Sequence, residues 1–457
     1  MSGLTPGDSV VYGHLWATDE TRALFDDDGR TRLWLRIIGA LASAQAESGL
    51  IPAAAAEAIV ARVSTGEVDL RAVGAETRRT GHSTLGLIRV LARDLAEEHA
   101  DWLYYGATVQ DVTDTWTGLV AAELLEIAAR DLGTAHCQLC TLAVRHRHDV
   151  MLGRTHGQPG LPITFGFKAA GWAAECGRHL ERCAQARPRL AVVQLAGAVG
   201  TMSAAGALGP VLQERFAARL GLAAPDTSWT SARDRVAELV ALLALVTGTF
   251  ARIGREVTLL ARPELGELRE PAQEGIVGSI TMPQKRNPER SEHLVTLAGV
   301  VRGAIVPAFE GLVSEHERDG ATWKGEWSLL PTACTAAAAS LRLGCELLSG
   351  LEVDTERMRA NVEAQRGYVL AEPVMGALAA RIGKPRAHEL VSRAAQRGLA
   401  DDVDLLTALT ADSAITAILA PSELAELIAP ERTLGAVDLL IDAVVGACPD
   451  TTGTRAS

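Results

Sequence analysis

Apolar residues recur at three- and four-residue steps through much of the chain. Between positions 112 and 148, Trp116, Leu119, Val120, Leu124, Ile127, Leu132 and Leu139 follow that spacing without an intervening proline. A 3.6-residue period held for about ten turns predicts one long helix there. A second run, 230–262, opens on the capping pair Thr230-Ser231 and also lacks proline, so it predicts another. A third is expected over 288–317, with Pro288 in its first turn and a kink at Pro307. Shorter patterns precede these, such as 30–50, closed by Gly49 and Pro52. Short helices follow from 352 onward, broken at Gly367, Pro373, Pro385 and Pro421. No stretch alternates as a strand-rich region would. The expected fold is all-α in three domains: 1–108, a long-helix bundle at 109–351 and a small helical domain at 352–457. Around Leu239 to Leu245 the second run is apolar on more than one face, so neighbouring subunits are expected to share the bundle.

Composition sharpens this picture. The 457 residues are 48% hydrophobic but only 4% aromatic, which leaves Ala and Leu, both strong helix formers, to carry the apolar fraction. That length exceeds what a single core organises. A formal charge of −12 argues against nucleic acid as a partner, while a small anion can still be held by local cations. Seven cysteines, an odd number set mostly in apolar stretches, read as reduced thiols of a cytoplasmic protein. His136, Cys137 and Cys140 could suggest a metal, but one CxxC without a second pair reads as packing, and no metal or cofactor is expected. The acidic N-terminal section has no apolar signal core, and the longest uncharged apolar stretch, 239–250, falls short of the roughly 20 residues a bilayer requires. No membrane association is expected.

Three polar stretches interrupt the helical pattern. Gly106 to Asp111 precedes the first long helix and reads either as a capping segment or as part of a site. Gly153-Arg154-Thr155-His156-Gly157-Gln158-Pro159 sets a histidine among a guanidinium, a hydroxyl and an amide, with glycines that permit close backbone approach. Residues 278–289, GSITMPQKRNPE, place one hydroxyl beside Lys285, Arg286 and Asn287.

Together these stretches resemble the three dispersed signature segments of the fumarase/aspartase superfamily. The superfamily loop Gly-Ser-x-x-Met-Pro-x-Lys-x-Asn-Pro is matched by Gly278, Ser279, Met282, Pro283, Lys285, Asn287 and Pro288. The likeness covers nearly the whole chain and is strongest to the adenylosuccinate lyase and 3-carboxy-cis,cis-muconate cycloisomerase branch, through LPITFGFKAAGW, QLAGAVGT, SARDRVAE and EHERDGATWKGEW. The resemblance implies that Ser279 is the general base, on a loop hinged at Gly275 and Gly278, and that His156 is the general acid. It also implies that Thr108, Gln110, Thr155, Gln158, Lys285, Asn287 and Arg318 hold a small anionic dicarboxylate. His82 stands where adenylosuccinate lyases carry a second active-site histidine, and reads equally as a helix-start residue. Because the three segments lie on or beside long helices, each site is expected to be assembled from three subunits of a homotetramer.

The departures bear on substrate. Ile280 and Val109 stand where relatives carry serines. After Arg318 the serine pair and arginine that grip a nucleotide are replaced by Trp323, Lys324, Glu326 and Trp327, with Glu326 expected to offset Lys324. Cycloisomerases commonly lack the THGQ histidine that this chain keeps. These features imply β-elimination from a substituted succinate, releasing fumarate and a nitrogen-based leaving group. Nitrosuccinate is favoured over adenylosuccinate. The rival readings are a cycloisomerase and a catalytically inactive structural homologue.

Overall fold

The computed structural model describes residues 6–272, 281–282 and 284–446. It is overwhelmingly helical, as the periodicity predicts. The longest helices are Val109–Arg145, Phe165–Leu190, Asp234–Leu260 and Gly320–Ser349. The first and third correspond to the expected 112–148 and 230–262. The expected 288–317 helix is instead two, Glu289–Gly303 and Ile305–Glu310. Pro307 lies in the first turn of the second, where a missing N–H removes no intrahelical bond, so it starts a helix rather than kinking one.

By contacts the chain forms two compact units, each built from three stretches. The first comprises Met1–Leu132, His179–Ala251 and Leu294–Leu343; the second comprises Gly133–Arg178, Arg252–His293 and Gly344–Ser457. The expected borders near 108 and 351 follow chain order, whereas these units interleave along it. In the first unit Leu124, Leu132, Val240, Leu297, Val301 and Ala338 are fully buried. The apolar run 239–245 is not covered on every side, since Leu245 remains 53% exposed. Asp234–Leu260 and 289–310 are long and apolar enough to cross a bilayer, but the first keeps 67% of its apolar window buried, as a core helix does.

The second unit holds a departure from an all-helical reading that concerns function. Strands β1 (Val150–Thr155) and β2 (Gln158–Thr164) pair antiparallel, Val150 opposite Thr164 and Thr155 opposite Gln158. Val150 and Leu152 bury their side chains with Val362 of the helix Thr355–Glu363. A separate terminal cluster forms around Val374, Leu378, Leu390, Val391 and Leu405.

Candidate functional site

The site residues divide between the two units. In the first unit the helix Val109–Arg145 starts at Thr108, whose backbone N–H donates to Asp111 Oδ2 at 2.9 Å. That is one half of a capping box, and the Thr108 hydroxyl is left to accept from Arg318 Nη1 at 3.1 Å. Asp111, Thr115 and Gly118 follow at steps of four and three, on one helix face. They dock the extended segment Val192–Gly197. Asp111 accepts from the amides of Ala196 (2.9 Å) and Gly197 (3.1 Å), and Thr115 exchanges two 2.9 Å hydrogen bonds with the backbone of Gln194. A Cβ on Gly118 would lie 2.2 Å from the Val192 carbonyl oxygen, so only glycine admits this approach. The docked segment then supplies acceptors to Arg318 Nη2, Gly197 O at 3.3 Å and Ala198 O at 3.0 Å. Arg318 Nε is buried with no partner among the described residues, a donor left for a ligand. Burial raises Asp111 to about 7, against the three amides that favour its charged form. The capping reading of this segment thus applies to Asp111, while Thr108 faces Arg318.

Gln110 is placed otherwise. It is fully buried, and its Nε2 donates to Asp114 Oδ2 (3.0 Å) and the Thr230 carbonyl (2.7 Å). Its amide nitrogen therefore braces the helix start instead of facing solvent. Sequence reasoning missed what lies one turn further. Arg233 forks between Asp114 (2.9 and 3.0 Å) and Glu326 (2.8 and 2.5 Å), all three being almost fully buried. One guanidinium facing two carboxylates leaves an excess negative charge in the interior. Burial accordingly pushes Asp114 and Glu326 up; burial works to lower Arg233, and the two carboxylates outweigh it, so Arg233 also rises. Glu326 is therefore engaged by Arg233 and does not offset the exposed Lys324, contrary to expectation. Helical spacing explains this: residues two apart point to different sides of a helix. His82 is exposed and occupies the N-cap position of the helix Ser83–Ala92, with its side chain making no cap bond.

In the second unit His156 and Gly157 form the two-residue tip of the β1–β2 hairpin, with φ of 54° and 76°. Two consecutive positive φ values match the twist of paired strands, and histidine tolerates the left-handed region better than most residues. Thr155, His156 and Gln158 are all exposed at this tip. Behind it Arg154 binds Glu267 bidentately (2.6 and 2.9 Å), and Asn361 donates to Glu267 at 2.8 Å, the carboxylate being fully buried. These bonds anchor the strand leading to the tip. Lys285 is exposed and makes no ion pair among the described residues, whereas Arg286 is held by Glu352 (2.9 Å) and the Glu270 carbonyl (2.8 Å). Asn287 Nδ2 donates to Glu289 at 3.3 Å. Ser279, with Gly275, Gly278 and Ile280, lies outside the described residues. His136 is buried and bonds the Ala173 carbonyl through Nδ1 at 2.9 Å; no cluster of three metal-ligating side chains occurs among the described residues.

The chain matches two protein-family models, "Lyase" over residues 15–303 and "Adenylosuccinate lyase C-terminus" over 367–444. It is 34% identical to an N-acetyl-S-(2-succino)cysteine lyase of Dickeya dadantii over 438 residues, 96% of each chain. It is 38% identical to a 3-carboxy-cis,cis-muconate cycloisomerase of Pseudomonas aeruginosa over 417 residues, 91% of each. Among solved structures, a fumarate lyase from a Mesorhizobium species superposes with a TM-score of 0.89 at 33% identity, covering 94% of this chain and 98% of that one.

Proposed function

Because the chain belongs to the lyases of the fumarase/aspartase superfamily, we propose that it expels a small nitrogen-based group from a 2-substituted succinate and releases fumarate, nitrosuccinate being the favoured substrate type. In this reading Ser279, as an alkoxide, removes a proton from C3. The C4 carboxylate takes up the resulting charge, and the bond from C2 to the leaving group then breaks, the electron pair departing with that group. Doubling the charge on a carboxylate requires preorganised donors and cations. Thr108 and Arg318 would supply them from one subunit, and Thr155, Gln158, Lys285 and Asn287 from its neighbours in the tetramer. Gln110 would act from behind, by bracing the helix start.

The observation that carries the reading is the polar set of the second unit: His156 at an exposed, anchored tip beside Thr155 and Gln158, and Lys285 without a counter-ion among the described residues. Packing alone does not call for such groups. His156 would protonate a basic leaving group, and His82 would be a second active-site histidine. The retained His156 favours elimination. The cycloisomerase relatives support the second reading, ring closure or opening of a muconolactone by the same base.

The enzyme would be a homotetramer whose sites draw on three subunits, which fits the exposed apolar side chains of Leu245, Val306, Phe309 and Val313 on or just beyond the bundle helices, to be covered by neighbours. We place the enzyme in the cytoplasm.

The test is fumarate release from nitrosuccinate, adenylosuccinate and N-acetyl-S-(2-succino)cysteine, run beside turnover of 3-carboxy-cis,cis-muconate. Fumarate from nitrosuccinate at a kcat/KM above about 10⁴ M⁻¹s⁻¹, the low end for a natural substrate, supports the proposal. Turnover of the muconate alone would replace it with the second reading.

A further inference from the structure

His156 stands at the end of a structure that is thin on its own. β1 and β2 form a sheet of two strands only, and their register shifts between Leu152 and Arg154. A two-stranded hairpin is marginal in water without further support, and a shift of that kind is a bulge, which bends the strand and re-aims what lies beyond it. A Cβ on Gly153 would lie 2.7 Å from the Leu161 carbonyl oxygen, so this crossing requires glycine. Burial secures the base of the hairpin, where Val150, Met151 and Leu152 are at most 6% exposed. Beyond the bulge Thr155, His156 and Gln158 are exposed, so packing does not set the direction of the tip.

One side chain beyond the bulge is fixed to the body of the second unit. Arg154, two residues before His156, places Nη1 and Nη2 on the Glu267 carboxylate at 2.9 and 2.6 Å. Glu267 is itself held on every side. Its backbone N–H donates to the Leu260 carbonyl at 2.8 Å, and its carbonyl accepts from the Asp354 N–H at 3.0 Å. Its Oε1 also accepts from Asn361 Nδ2 at 2.8 Å, and the same Nδ2 donates to the Leu265 carbonyl at 2.9 Å. Arg357 grips the carbonyls of Glu264 and Leu265, both at 2.9 Å. The carboxylate is thus tied at Leu260 to the end of one long helix and at Asn361 to the helix Thr355–Glu363.

The Glu267 side chain is fully buried, and the Arg154 side chain keeps 17% exposure. Burying such a pair is costly, and an apolar pair of similar volume would hold the strand at least as firmly. What an apolar contact does not supply is direction. A fork seated on a carboxylate fixes the plane of the guanidinium, and with it the strand that carries it. A general acid must lie within hydrogen-bond reach of the atom it protonates, and a displacement of about 1 Å can cost on the order of a hundredfold in rate. We infer that Glu267 is a positioning residue: acting through Arg154, it fixes where the His156 tip stands. This rests on the reading of His156 as the proton donor of the proposed elimination.

Glu267→Gln removes the charge and turns a donor toward the guanidinium. In the full-length enzyme, hydrogen exchange at the amides of 154–158 should speed up about tenfold or more, while the terminal cluster around Leu390 exchanges as in the wild type. For the succinate derivative turned over, kcat should fall about tenfold to a hundredfold with KM little changed, since the acid is displaced and the carboxylate contacts are kept. Arg154→Lys keeps the charge and loses the fork; it should show the same changes in smaller degree, and it carries the test if Glu267→Gln folds poorly. The double variant Arg154→Met/Glu267→Leu separates direction from stability. Its Tm should return toward the wild-type value while kcat stays low and tip exchange stays fast. Asp412→Asn breaks another ion pair of the same unit, with Arg393 and Arg397, and should change neither kcat nor tip exchange. Wild-type tip exchange in Glu267→Gln, recovery of kcat together with Tm in the double variant, or an equal loss in Asp412→Asn overturns the inference. If the wild-type enzyme releases fumarate from no succinate derivative, the lyase reading fails, and tip exchange alone decides whether Glu267 holds the tip.

Discussion

Replacing Arg233 with methionine would leave two carboxylates, Asp114 and Glu326, buried at 1% and 4% exposure without their cation. The methionine fills much of the arginine stem's volume, so the loss is mainly electrostatic. Removing one partner of a buried ionic cluster typically destabilises by about 3–5 kcal/mol. Here the lost bonds to the Trp229 and Thr230 carbonyls (3.2 and 3.4 Å) add to that. The deficit must depend on pH in one direction. Burial already raises both carboxyls in the wild type, and the variant raises them further. A group whose pKa is raised in the folded state binds its proton more tightly there. Its contribution is therefore intact below the unfolded pKa of about 4 and is lost as pH rises through the folded value, by at most about 1.4 kcal/mol per unit for each group. Thermal unfolding followed by circular dichroism should show a Tm deficit that is large at pH 7.5 and shrinks toward pH 5. Replacing all three residues with apolar ones of similar volume should recover most of the stability. An Arg233→Met protein with wild-type Tm at pH 7.5, or with a deficit unchanged between the two pH values, would refute the reasoning.

Three further outcomes are expected. Asp111→Asn should gain stability relative to wild type as pH rises from 5 to 8, because a carboxyl raised to about 7 favours folding below pH 4 and loses that contribution through pH 7, up to about 4 kcal/mol in all; parallel Tm curves for the two proteins would contradict this. Gly118→Ala should displace Val192–Gly197, lowering stability by about 1–3 kcal/mol and activity with it, since the new Cβ meets a backbone oxygen at 2.2 Å; unchanged Tm and kcat/KM would show that the segment yields. Inactive Ser279→Ala and His156→Ala proteins, mixed under mild denaturant and refolded, should regain part of the activity if sites draw on several subunits; full activity in a monomer would exclude shared sites.

The sequence by itself determined the helical class and two of the long helices, Val109–Arg145 and Asp234–Leu260, because periodicity and capping act through local hydrogen bonds and one buried stripe. It also carried the family signature, whose residues stand within short windows. It did not reveal the hairpin at 150–164. A stretch interrupted by glycines and prolines reads as a loop, and becomes strand only when β1 and β2 pair and Val150 and Leu152 are covered by Val362. The helix Gly320–Ser349 was hidden by Pro331 in its interior, which tertiary packing tolerates. Tertiary structure alone decided which polar groups meet. Arg318 reaches Thr108 across 210 positions, and Arg233 joins Asp114 and Glu326 across 119 and 93. Such partnerships depend on which charges and donors are excluded from water together, and no local period encodes that.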